Sequence, residues 1–165
     1  IMKNKSLKLI LILLVLSLLL TACGKEKKEA AGADPTPMQY ISAEDLKASI
    51  ESGSGDCIIL DVRKAEDYKA SHIAGSYGAD QDAAKDGDDK SGTANLKAAL
   101  KEATGNETGN SGDKYALVCY AGKVYAQTAT NLMKKMGISA DNIYTLEGGI
   151  KAWNEGGDDY KSLLE

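Results

Sequence analysis

The sequence is poor in the side chains that most often hold anions and metal ions. Arg63 is the only arginine, so bidentate recognition of a phosphate or carboxylate has a single candidate. His72 is the only histidine, which excludes a metal site built from several histidines. The formal net charge is -4, and without the first 22 residues 17 basic residues remain against 24 acidic ones. Since nucleic-acid binding needs clustered Lys and Arg, we predict no nucleic-acid partner.

The chain also lacks an apolar run long enough to cross a bilayer comfortably as a helix. Residues 9–20, LILILLVLSLLL, form a run of 12 residues, whereas a membrane span takes about 20. This run follows the basic segment MKNKSLK and precedes small residues, a pattern that is typical of a secretory signal. Residues 1–22 are therefore predicted to be a signal peptide that takes no part in the fold.

The end of this signal, the sequence LTAC that closes with Cys23, resembles the lipobox of bacterial lipoproteins. The resemblance implies that Cys23 receives a lipid and becomes the first residue of the mature chain. The next segment, GKEKKEAAGADPTP, is too polar to form a core, so residues 23–37 are predicted to be a lipidated, flexible linker. We therefore expect a lipid-anchored protein on the extracytoplasmic face of the cell membrane. The alternative is an ordinary signal peptide followed by an incidental cysteine.

From residue 38 onward, strand-like and helix-like segments alternate. The apolar runs CIILDV (57–62) and YALVC (115–119) are typical of strands that are covered on both faces. The alternation predicts one α/β domain, residues 38–165, with a mostly parallel five-stranded sheet and helices on both faces. Residues 80–93 are rich in Asp and Gly and are predicted to form an acidic surface loop, with a helix following from residue 94.

Cys119 ends one of these strands, just before a helix that is predicted to begin near Lys123. In a parallel sheet, ligands and reactive groups gather at the carboxyl ends of the strands. The start of the helix would direct free amide groups and the positive end of its dipole at the thiol, and both favour the sulfur anion. Gly122 would let the backbone approach that anion closely. Position alone leaves two alternatives open, a nucleophile and a small buried apolar side chain.

Three segments, in order along the chain, resemble the signatures of the rhodanese-like domain. ILDVRKAEDYKASHIAGS (59–76) resembles the first signature, ALVCYAGKVYAQTATNLMKKMG (116–137) the active loop and its helix, and NIYTLEGGIKAW (142–153) the closing motif. The resemblance implies a sulfurtransferase or persulfide carrier that needs no cofactor. In that chemistry a loop cysteine accepts sulfane sulfur from a small donor and passes it to a thiol or another nucleophilic acceptor.

By position, the resemblance makes Cys119 the sulfur carrier. It assigns the anion-binding loop to Tyr120, Ala121, Gly122, Lys123 and Val124. Two of these residues depart from the family pattern, because Tyr120 and Val124 stand where cationic or polar groups are common. Lys123 is the only charged residue in the loop. We therefore expect weak attraction for the dianion thiosulfate and a better fit to a bulky, less charged persulfide donor.

Asp61, Arg63 and His72 are predicted to support the site. We expect Asp61 to accept hydrogen bonds from loop amides, and Arg63 to pair with Glu66 or Glu147. Direct contact of Asp61 and Arg63 with substrate is the alternative. His72 is predicted to be a hydrogen-bonding turn residue, with a general-base role as its alternative.

Cys57 is predicted to be a buried apolar side chain at the start of its strand. A separation of about 15 Å from Cys119, at roughly 3.3 Å per residue along adjacent strands, excludes a disulfide between them.

Three other functions can be weighed against sulfur transfer. The uncharged loop positions, Tyr120 and Val124, and the predicted export also suit a catalytically weak rhodanese-like module that binds a partner or senses oxidants. Phosphatase or arsenate-reductase chemistry needs an arginine six residues after the cysteine, and Tyr125 stands there instead. The acidic residues of segment 80–93 lack the spacing of a calcium-binding EF-hand loop, which argues against a metal site.

Overall fold

A computed structural model describes residues 35–165 of the chain. The predictions made for the signal peptide, for lipid on Cys23 and for most of the linker fall outside these residues. They therefore stay predictions. Within residues 35–165, no helix is both long enough and apolar enough to span a bilayer.

The sheet has five strands, and every neighbouring pair is parallel. The strands are β1 (Gln39–Ile41), β2 (Ile58–Asp61), β3 (Tyr77–Gly78), β4 (Tyr115–Val118) and β5 (Ile143–Leu146). Their spatial order is β1-β5-β4-β2-β3, which places β4 at the centre. All four residues of β4 are buried, as expected for an apolar strand that is covered on both faces. The predicted fold class, an α/β domain built on a five-stranded sheet, is confirmed.

Helices cover both faces of this sheet. They are α1 (Ala43–Ser52), α2 (Ala65–Ala70), α3 (Asp82–Lys85), α4 (Asp89–Thr104), α5 (Val124–Lys135), α6 (Gly149–Glu155) and α7 (Asp158–Lys161). On one face Leu117 of β4 packs in a cluster with Leu100 of α4 and Met133 of α5. On the other face Ala116 packs in a cluster with Trp153 of α6 and other apolar residues. Successive strand residues point to opposite faces, so one apolar strand supplies both clusters.

The prediction that residues 80–93 form a loop is wrong, because this segment contains α3 and the first turn of α4. Asp88 caps α4 by accepting a hydrogen bond from the Ser91 amide at 3.1 Å. Gly92 is buried inside α4, and a Cβ there would lie only 2.4 Å from the Cβ of Ala84. The cap and the close packing of α3 on α4 outweigh the low helix propensity of glycine and aspartate.

The carboxyl ends of the three central strands, β2, β4 and β5, meet at one edge of the sheet. The Val62 amide donates to the carbonyl of Val118 at 2.8 Å, which holds the ends of β2 and β4 in register. Three turns start from this edge, at Arg63 after β2, Cys119 after β4 and Glu147 after β5. The predicted reactive cysteine therefore lies at the centre of the edge.

Candidate active site

Cys119 directly follows β4, and the loop after it bends back over the sulfur. The amide of Gly122 lies 3.1 Å from Sγ and the amide of Lys123 lies 3.3 Å from it, and both donate to the sulfur. Cys119 is 2 % exposed. Two N–H dipoles aimed at one sulfur, shielded from water, stabilise a negative charge there more than they stabilise a neutral thiol.

Helix α5 begins next to this pair of amides, at Val124. The amides of residues 124–126 have no acceptor within residues 35–165, and the first amide to bond back is that of Gln127, to the Lys123 carbonyl at 2.9 Å. Unpaired amides and the positive end of the dipole are general features of a helix start. The loop therefore offers donors beyond the two that the Cys119 sulfur uses.

A turn that contains Gly148 and Gly149, at the start of α6, holds the loop after Cys119 by backbone hydrogen bonds. The Ile150 and Lys151 amides of α6 donate to the carbonyls of Cys119 and Tyr120 at 2.8 and 3.2 Å. Gly149 has φ 61°, and a Cβ there would lie 2.3 Å from the Cys119 carbonyl oxygen. Gly149 was not among the predicted site residues, although two adjacent glycines between a strand and a helix indicate close backbone approach.

Replacing Gly149 with alanine is expected to displace the loop and to slow chemical modification of Cys119. A matched control is Gly53→Ala, because Gly53 has a similar φ of 63° but no atom within 4 Å of a built Cβ. Both variants carry the cost of a left-handed residue, about 1–2 kcal/mol, and only Gly149→Ala adds the backbone clash. Urea unfolding and the rate of alkylation of Cys119 by iodoacetamide measure the two effects. Equal alkylation rates in both variants would contradict this role of Gly149.

The predicted loop residues differ in how they are placed. Gly122 is buried, whereas Ala121, Lys123 and Val124 are exposed, Val124 by 60 %. Tyr120 is half-buried, and its hydroxyl donates to the carboxylate of Asp67. Burial and this hydrogen bond raise the pKa of Tyr120 to about 12. The mouth of the loop therefore presents an apolar side chain and one lysine, and the tyrosine is held by a partner on α2.

Asp61 and Arg63 form a buried ion pair beside the loop. Asp61 is fully buried and Arg63 is 6 % exposed, and Nη2 of Arg63 lies 2.6 Å from Oδ2 of Asp61. The same Nη2 donates to the Ser71 carbonyl at 2.7 Å. Burial opposes the charge of Arg63, but hydrogen bonding and attraction from Asp61 outweigh it and raise the pKa of the guanidinium.

The predicted pairing of Arg63 with Glu66 or Glu147 is therefore wrong. Residues two apart in an extended chain point to the same side, which brings the Arg63 guanidinium onto the carboxylate at the end of its own strand. That carboxylate, of Asp61, also accepts a hydrogen bond from the Arg63 amide at 3.1 Å.

His72 makes its contacts away from the loop. Its Nδ1 lies 2.9 Å from the Tyr68 carbonyl, and its ring stacks on that of Tyr68 with the centroids 4.0 Å apart. Its backbone exchanges two hydrogen bonds with Glu165, at 2.9 and 2.8 Å. These are the contacts of a turn residue, and within the described part of the chain none of them reaches residues 119–124.

The second cysteine of the described segment lies elsewhere. Cys57 is half-buried and packs against the core cluster that contains Trp153. Burial raises the pKa of its thiol. Cys57 and Cys119 are both free. Among residues 35–165, no group of three or more His, Cys, Asp and Glu side chains is placed to hold a metal ion.

The chain has recognisable relatives. A family model described as "Rhodanese-like domain" matches residues 42–156. The rhodanese-like domain of an Anabaena protein is similar in structure, with 22% identity, a TM-score of 0.54, and coverage of 78% of this chain and 80% of that one. A single-domain sulfurtransferase from Saccharomyces cerevisiae has 16% identity, a TM-score of 0.57, and coverage of 79% and 98%. At these identities the likeness shows the fold alone. No curated protein matches the sequence.

The family match extends over most of the folded segment. Residues 42–156 run from the cap of α1 to the end of α6, and they include Cys119, the loop that follows it and the two-glycine turn. This span is well over half of the 165 residues. The chain therefore belongs to the rhodanese-like domain family.

Proposed function

We propose that this protein is a sulfurtransferase or persulfide carrier that uses Cys119 to accept and pass on sulfane sulfur. The observation that carries the proposal is the pair of amides, of Gly122 and Lys123, at 3.1 and 3.3 Å from Sγ. This arrangement favours a sulfur anion at a helix start, which is what both a nucleophile and a leaving group in sulfur transfer require.

The reaction has two displacement steps. In the first, the Cys119 thiolate attacks the outer sulfur of a donor R–S–SH, an S–S bond to Cys119 forms, and the donor's S–S bond breaks as R–S⁻ leaves with the electron pair. In the second, an acceptor thiolate attacks the outer sulfur of the Cys119 persulfide, and the Cys119 thiolate leaves. One S–S bond is broken and one is made in each step, so there is no net oxidation and no cofactor is needed.

The loop supplies a place for the negative charge in both steps. The Gly122 and Lys123 amides hold the charge on Sγ before loading and after release. The amides of residues 124–126, which have no acceptor within the described residues, are suited to the outer sulfur of the persulfide. Preorganised donors of this kind lower the barrier because they need no rearrangement while charge moves between two atoms.

The residues at the mouth favour a donor of low charge. Val124 is exposed, and the Tyr120 hydroxyl already donates a hydrogen bond to Asp67. Lys123 is the only charged side chain in the loop. Thiosulfate carries two negative charges, and the loop has no arginine to bind its sulfonate group. An organic persulfide with an apolar body has no sulfonate group and does not need such a contact.

We expect an organic persulfide to load Cys119 at least about tenfold faster than thiosulfate at equal concentration. That ratio corresponds to ~1.4 kcal/mol, the order of one charge-assisted contact. Intact-mass spectrometry follows the addition of one sulfur atom, and thiocyanate formed on adding cyanide measures its release. If neither donor adds sulfur to the protein, the proposed function fails and a binding or redox-sensing module becomes the better account. If thiosulfate is the faster donor, the inferred donor class is wrong.

A further inference from the structure

Two tyrosines near Cys119, one in the loop and one at the start of α5, donate hydrogen bonds to carboxylates on other helices. Tyr120, next to Cys119, donates its hydroxyl to Asp67 of α2 and accepts the Lys64 amide at 3.4 Å. Tyr125, in the first turn of α5, donates to Asp82 of α3 at 2.6 Å. The two rings meet edge to face, with their centroids 5.1 Å apart.

The two helices that carry the carboxylates are themselves connected. The Asp80 carboxylate accepts hydrogen bonds from the amide of Ala65, the first residue of α2, at 2.9 Å and from the amide of Asp82, the first residue of α3, at 2.7 Å. The Asp82 carboxylate also lies 3.9 Å from Lys64 and 3.5 Å from Lys85. The contacts therefore form a closed ring that runs from α2 through α3 to Tyr125, on to Tyr120, and back to α2.

The electrostatics keep both tyrosines as donors. Burial and the hydrogen bond to Asp67 raise the pKa of Tyr120 to about 12, and burial and Asp82 raise the pKa of Tyr125 as well. The hydrogen bond from Tyr125 is the largest cause of a lowered pKa at Asp82. At neutral pH both tyrosines are therefore protonated phenols, and each donates its hydroxyl to a carboxylate. Such hydrogen bonds are of the stronger kind when the acceptor is ionised.

The loop has little else to hold it on this side. Ala121, Lys123 and Val124 are exposed and bury little apolar surface. On the opposite side the backbone is held by the Ile150 and Lys151 amides of α6. Without the tyrosine contacts, the backbone hydrogen bonds that hold this segment among residues 35–165 come from α6 and, at Lys123, from the first turn of α5.

We propose that the tyrosine clamp, the pairs Tyr120–Asp67 and Tyr125–Asp82, holds the loop in the shape that directs the Gly122 and Lys123 amides at Cys119. Asp67 and Asp82 are then positioning residues for sulfur transfer, although neither donates to the sulfur. The inference rests on the proposed function of Cys119. The inference also assigns a role to α3, the helix found where a surface loop was predicted: it places Asp82 to accept the hydrogen bond from Tyr125.

The test compares Tyr120→Phe, Asp67→Ala and the double variant in the full chain. Two rates are measured, sulfur loading from an organic persulfide and alkylation of Cys119 by iodoacetamide. Each single variant is expected to slow both rates about tenfold, the order of effect of losing a hydrogen bond to a charged group. The double variant is expected to be no slower than the single ones, because both remove the same contact. Asp67→Asn keeps an acceptor for the hydroxyl and is expected to recover most of the rate.

Tyr68→Phe is the matched control. Tyr68 lies on α2, and its hydroxyl donates to the Ser76 carbonyl at 2.7 Å, so the variant loses a tyrosine hydrogen bond without touching the loop. It is expected to react at the wild-type rate. Wild-type rates in Tyr120→Phe and Asp67→Ala would overturn the clamp, as would additive losses in the double variant or an equal loss in Tyr68→Phe.

The two hypotheses fail in different ways. If the wild-type protein accepts no sulfur but the clamp variants still slow alkylation, the proposed function is wrong and the clamp stands. If the wild-type protein loads sulfur and the clamp variants load it equally fast, the proposed function stands and the clamp is wrong.

Discussion

Replacement of Cys119 with serine is expected to abolish sulfur loading, while replacement of Cys57 with serine leaves it unchanged. A serine hydroxyl stays protonated at neutral pH and cannot form an S–S bond with the donor. Cys57 is the matched control because it is the other free thiol of the described segment. It lies just before the amino end of β2, and burial raises the pKa of its thiol. The two backbone amides that donate to a cysteine sulfur among residues 35–165 both donate to Cys119. A thiol whose anion is disfavoured is a poor nucleophile.

The measurement combines intact mass with peptide mapping after incubation with an organic persulfide. The mass of one added sulfur should appear in the wild-type protein and in Cys57→Ser, and it should be absent from Cys119→Ser. Mapping matters because the full sequence contains a third cysteine, Cys23, and the added sulfur should be found on the peptide that contains Cys119. Sulfur on the Cys57 or Cys23 peptide of Cys119→Ser, at a rate like that of the wild type, would reject Cys119 as the carrier.

Asp61→Ala is expected to cost about 3–5 kcal/mol of unfolding free energy, the usual effect of removing one partner of a buried ion pair. Asp61 is fully buried and receives three hydrogen bonds from the Arg63 side chain and one from the Arg63 amide. Without the carboxylate, the Arg63 guanidinium keeps the Ser71 carbonyl but loses its counter-charge. Because the pair ends β2 beside the loop, the variant is also expected to slow sulfur loading.

The comparison is with Glu51→Ala, which removes the partner of Lys47 in an exposed ion pair of similar length, 2.6 Å. Exposed pairs contribute little, so the stability of Glu51→Ala should stay close to that of the wild type. The double variant Asp61→Leu/Arg63→Met removes both charges and should recover much of the loss, because no buried charge is left unpaired. Urea unfolding measures all three. An Asp61→Ala protein as stable as Glu51→Ala would show that this pair does not hold the edge of the sheet together.

Local sequence was enough for the fold class and for the place of the cysteine. Apolar runs such as YALVC (115–119) are typical of strands that are covered on both faces, and alternation with helix patterns then implies parallel pairing. The start of a helix after Cys119 followed from the glycine of the turn and the apolar periodicity beyond it. These features depend on neighbours within a few residues, and the strands predicted at 57–62 and 115–119 are found as β2 and β4.

The features that shape the site depend on residues far apart in the chain. Asp67 lies 53 positions before Tyr120 and Asp82 lies 43 positions before Tyr125, so no local pattern joins either tyrosine to its carboxylate. The helix at Asp82 was missed for a related reason, because its packing against Gly92 is a contact between elements and its sequence is typical of a loop. The partner of Arg63 was missed although it lies only two residues away, because the choice among several nearby carboxylates is decided by which one is buried beside it.

Local sequence patterns are enough to predict that a parallel sheet brings Cys119 to the amino end of a helix. Apolar periodicity and strand ends are local properties, and they leave few alternatives. How the loop around that thiol is held depends on contacts that form only in the folded protein: the turn at Gly149 on one side and the proposed tyrosine clamp on the other. Hydrogen bonds between distant side chains depend on the packing of whole helices, and that packing is settled only when the entire core is assembled.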